Sequence, residues 1–192
     1  MTLFAIAIND VVKVVPSAVS CSLYVDDFTL CCSGGSLQDV QGHMQTAINQ
    51  VVQWATYHGF KFSPSKTMAM HFHKRGKFHP SLYLGANPLH FVQQVKYLGL
   101  IFDSRLTWVP HIKQLKVKAT KALSILRVLS HLSWGADRTT LLRLYRALIR
   151  SKLDYGCEAY SSATPNVLWM LDLWSPCMLR VQNHLFHYTG TT

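Results

Sequence analysis

Tyr24-Val25-Asp26-Asp27 constrains this chain more than any other stretch. Ser22-Leu23-Tyr24-Val25 leads in and Phe28-Thr29-Leu30-Cys31-Cys32 leads out, both apolar and rich in strand-favouring residues. Two carboxylates are therefore expected side by side between two buried strands. A plain hairpin turn would use Asn-Gly or Asp-Gly, whose residues accept positive φ. Adjacent like charges also repel each other. A divalent cation answers both objections, because hard cations take carboxylate oxygens and paired-metal sites serve phosphoryl transfer. A bare Asp-Asp pair also suits a solvated acidic turn, and that reading stays open on these residues alone.

Charge is unevenly placed. Residues 1–60 hold four Asp against one Lys, and residues 61–192 hold 18 Lys and Arg against five acids, within a formal net charge of +10. An acidic start followed by a basic remainder suits a polyanionic partner, and nucleic acid is the commonest. An acidic membrane surface suits it less, because the basic residues are spread over many elements rather than set in one block. A chain of 192 residues that is 49% hydrophobic can bury a real core in one or two domains. The five cysteines form no CxxC pair, which predicts reduced, small core residues. The apolar run Leu3 to Ile8 is too short to span a membrane and has no basic residues before it. The expected location is intracellular, nucleus or cytoplasm, not secreted and with no membrane partner.

In order, the pattern predicts a buried helix over 3–14, with Leu3, Ile6 and Asp10 on one face and Pro16 closing it. A hairpin over 20–32 ends at Gly34-Gly35. A helix over 36–58 starts at Ser36, with Asp39 completing a capping box. Its apolar stripe is Leu37, Val40, Met44, Ala47, Ile48, Val51 and Ala55, while Gln38, Gln41, Gln45, Asn49 and Gln53 face away. Gly59 stands where a left-handed cap belongs. A strand follows over Met68 to Phe72. His71 and His73 share one of its faces, as a metal-binding pair or, more simply, on the wet side of an edge strand. Lys74-Arg75-Gly76-Lys77 is a short basic loop suited to phosphate or to water. Residues 82–92 read as a hairpin and 95–102 as one strand, where Gly99 marks a bulge or a close backbone approach. A domain boundary is placed at 108.

The helix over 111–131 turns Ile112, Leu115, Ala119, Ala122, Leu126 and Leu129 inward and Lys113, Lys116, Lys118, Lys121 and Arg127 outward. It contains no acid, so intrahelical ion pairs do not account for the charges. Phosphate contact and a merely solvated face both remain. Asp137 is a cap candidate for a helix over 138–152, with Leu141, Leu144, Tyr145 and Leu148 inward and Arg143, Arg146 and Arg150 elsewhere. A last helical stretch covers 167–187, interrupted at Ser175-Pro176. Trp169 and Trp174 are expected in the core rather than as base-stacking platforms.

Taken together, these motifs resemble the reverse transcriptase of non-LTR (LINE-type) retrotransposons, from about Leu3 to Gly190. Leu3-Phe4-Ala5-Ile6-Ala7-Ile8-Asn9-Asp10 is similar to the helix after that family's template-positioning PQG segment. Tyr24-Val25-Asp26-Asp27 resembles its catalytic turn. Trp54-Ala55 to Gly59 and Pro64-Ser65-Lys66-Thr67 resemble its next motif, with Ser63 where Asn is more usual. Tyr97-Leu98-Gly99 resembles the hairpin that grips the primer end. Leu153-Asp154-Tyr155-Gly156 and the basic helices resemble the thumb. Val181-Gln182-Asn183 and Tyr188-Thr189-Gly190 resemble the segment beyond it.

The resemblance implies an α+β fold: a partial palm over 1–108, then a helical thumb and connection segment over 109–192. It implies RNA-directed DNA polymerase chemistry, with Mg²⁺ or Mn²⁺, an RNA template, a DNA primer and deoxynucleotide triphosphates. Asp26 and Asp27 would be catalytic metal ligands, with Tyr24 near the growing end and Lys66 at the leaving pyrophosphate. Tyr97, Leu98 and Gly99 would position the primer, and Lys113, Lys116 and Arg127 would track the duplex backbone. The family also has a catalytic Asp on a strand well upstream of the Asp-Asp turn. Here Asp10 is the only acid ahead of Asp26, and it falls in the helix segment. The expectation is therefore a truncated polymerase with little or no activity alone, unless a second chain supplies the fingers and the other palm half. A non-catalytic nucleic-acid-binding remnant is the alternative.

Overall fold

A computed structural model gives the architecture and describes residues 2–73, 80–131 and 134–172. Lys74-Arg75-Gly76-Lys77, Ser133, Trp174, Ser175-Pro176, Cys177 and the segments 181–183 and 188–190 lie outside the described residues. The fold is α+β, built of helices and small two-stranded sheets, and it divides into two compact units, Met1–Val92 and Gln93–Thr192.

In the first unit, helix α1 (Thr2–Asn9) runs into a 3-10 turn, Asp10–Val14, and Pro16 stops it. Ile8 and Val11 are the buried residues, and Ile6 is 65% exposed. The expected inward face is therefore corrected at Ile6 and Asp10. Tightening from 3.6 to 3.0 residues per turn at Asp10 changes which side chains align. Asp10 instead lies at the surface, 2.7 Å from the Lys13 ammonium, which holds its carboxyl below the usual range.

Strands β1 (Ser20–Tyr24) and β2 (Asp27–Cys31) pair antiparallel, with Leu23 opposite Phe28 and Tyr24 opposite Asp27. They are half-buried rather than buried, because this two-stranded ribbon faces the core on one side only. Leu23 and Phe28 join Ile8, Val11, Val51, Trp54 and Ala55 in the core.

Helix α2 (Leu37–Tyr57) supplies the last three of these. The Ser36 side chain makes no cap bond, so the capping box is not formed; its carbonyl accepts from Val40 N–H at 3.2 Å instead. The far end behaves as expected. Gly59 has φ +77, Phe60 N–H donates to the Ala55 carbonyl at 2.8 Å, and Gly59 N–H donates to that of Thr56. This is a Schellman ending, closed by the stacked rings of Trp54 and Phe60 at 5.5 Å.

The glutamines of α2 do not all face water. Strands β3 (Met68–Ala69), β4 (Tyr83–Leu84), β5 (Asn87–Pro88) and β6 (His90–Phe91) follow α2. Gln45 donates to the Tyr83 carbonyl and accepts from Tyr83 N–H, both at 2.9 Å, and Gln41 donates to the Ser81 carbonyl at 3.1 Å. A primary amide carries the same donor and acceptor as a peptide, so it completes the backbone pairing of β4. The expected strand Met68 to Phe72 shortens to β3, which pairs parallel with β6. The expected 82–92 hairpin contains β4 and β5, turning at Gly85-Ala86.

The second unit opens with a hairpin where the bare pattern suggested one strand. Strands β7 (Gln94–Tyr97) and β8 (Leu100–Asp103) pair antiparallel about Leu98-Gly99. Both turn residues have positive φ, +45 and +84, the I′ pattern that matches strand twist. β8 packs on helix α3 (Val109–Leu129), so this unit begins ahead of the expected boundary at 108. Helix α4 (Arg138–Tyr145) is capped as expected: Asp137 accepts from Thr139 and Thr140 N–H at 2.9 and 3.2 Å. A π turn, Arg146–Arg150, joins α4 to α5 (Ser151–Asp154), and α6 (Cys157–Tyr160) and α7 (Pro165–Asp172) follow. Arg150 pairs with Asp154 at 3.2 Å.

Two clusters hold this unit. Trp108, Ile112, Leu115, Tyr160, Ala163 and Val167 form one; Ala119, Ala122, Leu123, Leu126, Leu141 and Ile149 form the other. Trp169 is 70% exposed, so its expected place in the core is corrected. Val167, two residues earlier on α7, faces inward instead.

Candidate functional site

The Tyr24–Asp27 stretch closes the β1–β2 hairpin. Val25 and Asp26 are its two loop residues, and Val25 has φ +56. A β-branched residue in that region is strained by about 1–3 kcal/mol, and such strain concentrates at functional turns. Side chains alternate along a strand, so Leu23 and Phe28 face the core and Tyr24 and Asp27 share the opposite face. Tyr24, Val25, Asp26 and Asp27 are all exposed. Among the described residues neither carboxylate has an ion-pair partner.

Lys66 sits in a turn fixed by one carbonyl. Ser63 O accepts from Lys66 N–H at 3.2 Å and from Thr67 N–H and hydroxyl at 3.0 and 2.8 Å. Phe62, just before this turn, lies with its ring 6.4 Å from Phe28, just after Asp27. The Lys66 loop and the acidic hairpin thus rest on the same cluster, although no ion pair joins Lys66 to either Asp among the described residues.

Asp26 and Asp27 are hard oxygen donors, suited to Mg²⁺ or Mn²⁺. Among the described residues no group of three His, Cys, Asp or Glu could hold a metal. The pair fits as part of a coordination sphere, to be completed by water, substrate phosphates or other protein ligands. His71 and His73 meet edge to face at 5.1 Å and form no such group either.

The other candidates belong to the second unit. Tyr97 and Leu98 are half-buried and Gly99 is exposed at the β7–β8 turn. On α3, Lys113 and Arg127 are exposed and Lys116 is half-buried. At 3.6 residues per turn the three share one flank of the helix, beside the buried stripe.

Two groups that the sequence pattern did not single out organise this region. Asp103, 8% exposed, accepts from Thr107 N–H and hydroxyl at 3.0 and 2.9 Å and from Trp108 N–H at 2.9 Å. Burial pushes its carboxyl up, but these bonds outweigh it and hold the pKa below the ordinary 3.8. An Asp followed by Thr four residues on is a local signal for such a turn. His111 is buried, and its Nδ1 accepts from Ile101 N–H at 3.3 Å. Burial, and then Lys118, pull its pKa below the ordinary 6.5.

Both shifts have the same sign for stability. A depressed folded pKa means that the unfolded chain binds protons first as pH falls. His111 therefore contributes fully above about pH 6.5 and less as pH drops through its folded pKa; Asp103 does the same from about pH 3.8 downward. Thermal melts between pH 8 and 5 are expected to show a falling Tm, and His111→Gln is expected to flatten that slope. An equally steep slope in the variant would show that another group titrates.

A model of the family "Reverse transcriptase (RNA-dependent DNA polymerase)" matches residues 1–102. The chain is 24% identical over 151 residues to the retrovirus-related Pol polyprotein from type-1 retrotransposable element R1 4 of Nasonia vitripennis, covering 69% of this chain and 38% of that protein. It is 23% identical over 177 residues to the RNA-directed DNA polymerase from mobile element jockey of Drosophila melanogaster, covering 87% of this chain and 19% of that protein. With the probable RNA-directed DNA polymerase from transposon X-element of the same fly it shares 24% identity over 144 residues, 73% of this chain and 15% of that protein. The chain thus spans well under half of the length of these relatives. No solved structure matches it.

Proposed function

The chain belongs to the reverse transcriptase (RNA-dependent DNA polymerase) family, and from that premise we propose that it is part of the polymerase of a non-LTR retrotransposon. Its reaction there is RNA-templated addition of deoxynucleotides to a primer 3′-hydroxyl. The first unit serves as part of the palm, and the helices from α3 onward serve as the thumb.

The observation that carries this reading is the exposed, strained hairpin that sets Asp26 and Asp27 on adjacent residues inside the family-matched stretch. Asp26 and Asp27 would hold Mg²⁺ or Mn²⁺. Such a cation supplies charge neutralisation at the triphosphate and activation of the primer hydroxyl. Tyr24, on the same face as Asp27, lies against the growing end. Lys66 offers a cation to the leaving pyrophosphate. Tyr97, Leu98 and Gly99 position the primer, and the Lys113, Lys116 and Arg127 flank follows the duplex backbone. Among the described residues no helix is long and apolar enough to cross a membrane.

Two carboxylates alone are a partial metal site, so the 192-residue chain by itself is expected to bind template–primer yet extend it little or not at all. Primer extension on an RNA template with Mg²⁺, beside direct binding, tests this. Brisk extension by the chain alone would overturn the expectation of inactivity. Absence of any template–primer binding would overturn the assignment itself. Binding without extension in every longer version as well would favour a non-catalytic nucleic-acid-binding role.

The thumb assignment has its own test. Each phosphate contact removed should make the slope of log affinity against log salt shallower by about 0.9. Lys113→Ala together with Lys116→Ala is expected to change the slope by about two such steps, with Tm nearly unchanged. An unaltered slope places the duplex elsewhere.

A further inference from the structure

The β7–β8 turn is not left to its own conformational preferences. Tyr155, in the link between α5 and α6, donates its hydroxyl to the Leu98 carbonyl at 2.6 Å. Its ring also covers Gly99: a Cβ added there would lie 3.0 Å from Tyr155 Cε1. The next residue, Gly156, has φ +68, and a Cβ on it would come within 2.6 Å of Leu100 Cδ2. Two glycines, one in the turn and one in the link, thus leave room for the Tyr155 ring against Gly99 and for the Leu100 side chain against Gly156.

The link is itself anchored. Tyr160 is buried beside Trp108 and Ile112, and its hydroxyl donates to the Leu153 carbonyl. Its ring lies 5.4 Å from that of His111, whose Nδ1 accepts from Ile101 N–H. The hairpin is therefore tied at two points: β8 to α3 through His111, and the turn to the α5–α6 link through Tyr155. Tyr155 is 55% exposed, more than a residue serving only to fill the core would be.

We propose that Tyr155 is a positioning residue for the primer 3′ end: it sets the conformation of Leu98-Gly99, and that turn in turn meets the recessed end of a template–primer duplex. This deepens the reading of Tyr97-Leu98-Gly99 given above and rests on it. Tyr155 does not touch the reacting atoms. Its hydroxyl fixes the direction of the Leu98 carbonyl, and its ring covers one side of Gly99.

Tyr155→Phe separates the two contributions, because it keeps the ring and deletes only the bond to Leu98. Two measurements on the 192-residue chain test the proposal. The first is amide chemical shift and hydrogen exchange at Leu98, Gly99 and Leu100, in protein labelled at Leu and Gly. The second is binding to a DNA–RNA duplex with a recessed 3′ end against a blunt duplex, with 2-aminopurine as the 3′-terminal base. Wild type should prefer the recessed end. Tyr155→Phe should shift the turn amides and speed their exchange, lower that preference about fivefold, and leave Tm and blunt-duplex affinity unchanged. Gly99→Ala, strained at φ +84 and crowded by the Tyr155 ring, should shift the turn amides and lower the end preference more strongly, with a fall in Tm as well.

Unchanged turn amides in Tyr155→Phe would overturn the proposal outright. Altered amides with an unchanged end preference would show that Tyr155 shapes the turn without serving the primer, which also overturns it. Equal binding of recessed and blunt duplexes by wild type would instead overturn the primer-positioning reading of the turn, and the amide data would still report whether the Tyr155 contact holds it.

Discussion

Replacing Asp26 by Asn is expected to remove templated primer extension by about three orders of magnitude while leaving the protein as stable as before. The effect is expected in the 192-residue chain, if it extends at all, and in any longer polypeptide in which this segment is the polymerase core. Asp26 lies exposed in a two-residue loop and takes no part in the ladder between β1 and β2. Asn has the same shape and fits the same backbone, so unfolding should move by less than about 0.5 kcal/mol. What changes is charge: one anionic oxygen is lost from a site that has only two carboxylates on the chain's described residues. Groups that act as one catalytic unit fail together, so the loss is close to total rather than proportional. Primer extension measured beside a urea melt separates the two effects. Residual extension above a few per cent of the parent would exclude Asp26 as a metal ligand.

Asp103→Ala is expected to do the opposite, costing about 3 kcal/mol or more of stability in the second unit. One carboxylate there accepts three hydrogen bonds, two from Thr107 and one from Trp108 N–H. Bonds to a buried charged group contribute about 1.5–3 kcal/mol each in isolation and less than their sum together. They also hold the chain as it enters α3, where Leu106 and Trp108 both have positive φ, +52 and +63. Without the acceptor the buried Trp108 N–H is orphaned, and the strained entry loses three of the bonds that hold it. Asp103→Asn retains one oxygen acceptor and should lose about half as much. Urea unfolding of the two variants gives both numbers. A shift below about 1 kcal/mol for the Ala variant would mean that the turn is held by something other than this carboxylate.

The sequence carried the elements whose cause is local. The α2 stripe from Val40 to Ala55 with its Gly59 ending, the Asp137 cap and the two-strand setting of Tyr24–Asp27 each depend on a few neighbouring residues, and each is present, while Leu37 at the start of the stripe is exposed. It misled where one residue type has two uses. Gln41 and Gln45 looked like solvent-facing polar residues, yet their amides substitute for a strand partner. Gly99 suggested a bulge or a close approach inside one strand; it is closely approached by Tyr155, but with Leu98 beside it at φ +45 it makes a turn, and a non-glycine residue in that conformation gives little warning. Trp169 looked like core because it is large and apolar, but the helix phase is set by Val167. Of the candidate site, the acidic pair was legible because two adjacent carboxylates between apolar strands are chemically conspicuous. Asp103, His111 and Tyr155 were less so: apart from the Asp103–Thr107 spacing, their partners are backbone carbonyls and N–H groups that no side-chain pattern reveals.

The π turn at Arg146–Arg150 gives the second unit a kind of gearing. A π turn amounts to one residue more than an α-helix would use over the same rise. Each residue of an α-helix turns the chain by about 100°. The described residues from Ser151 onward are therefore indexed by that extra residue, including the direction in which Tyr155 leaves α5. With regular α-helix through the same stretch, the tyrosine would point about a quarter-turn away from the carbonyl it now meets. The wide turn, some distance along the chain from the hairpin, acts as the phase adjustment that brings a helix end and a strand turn into mesh.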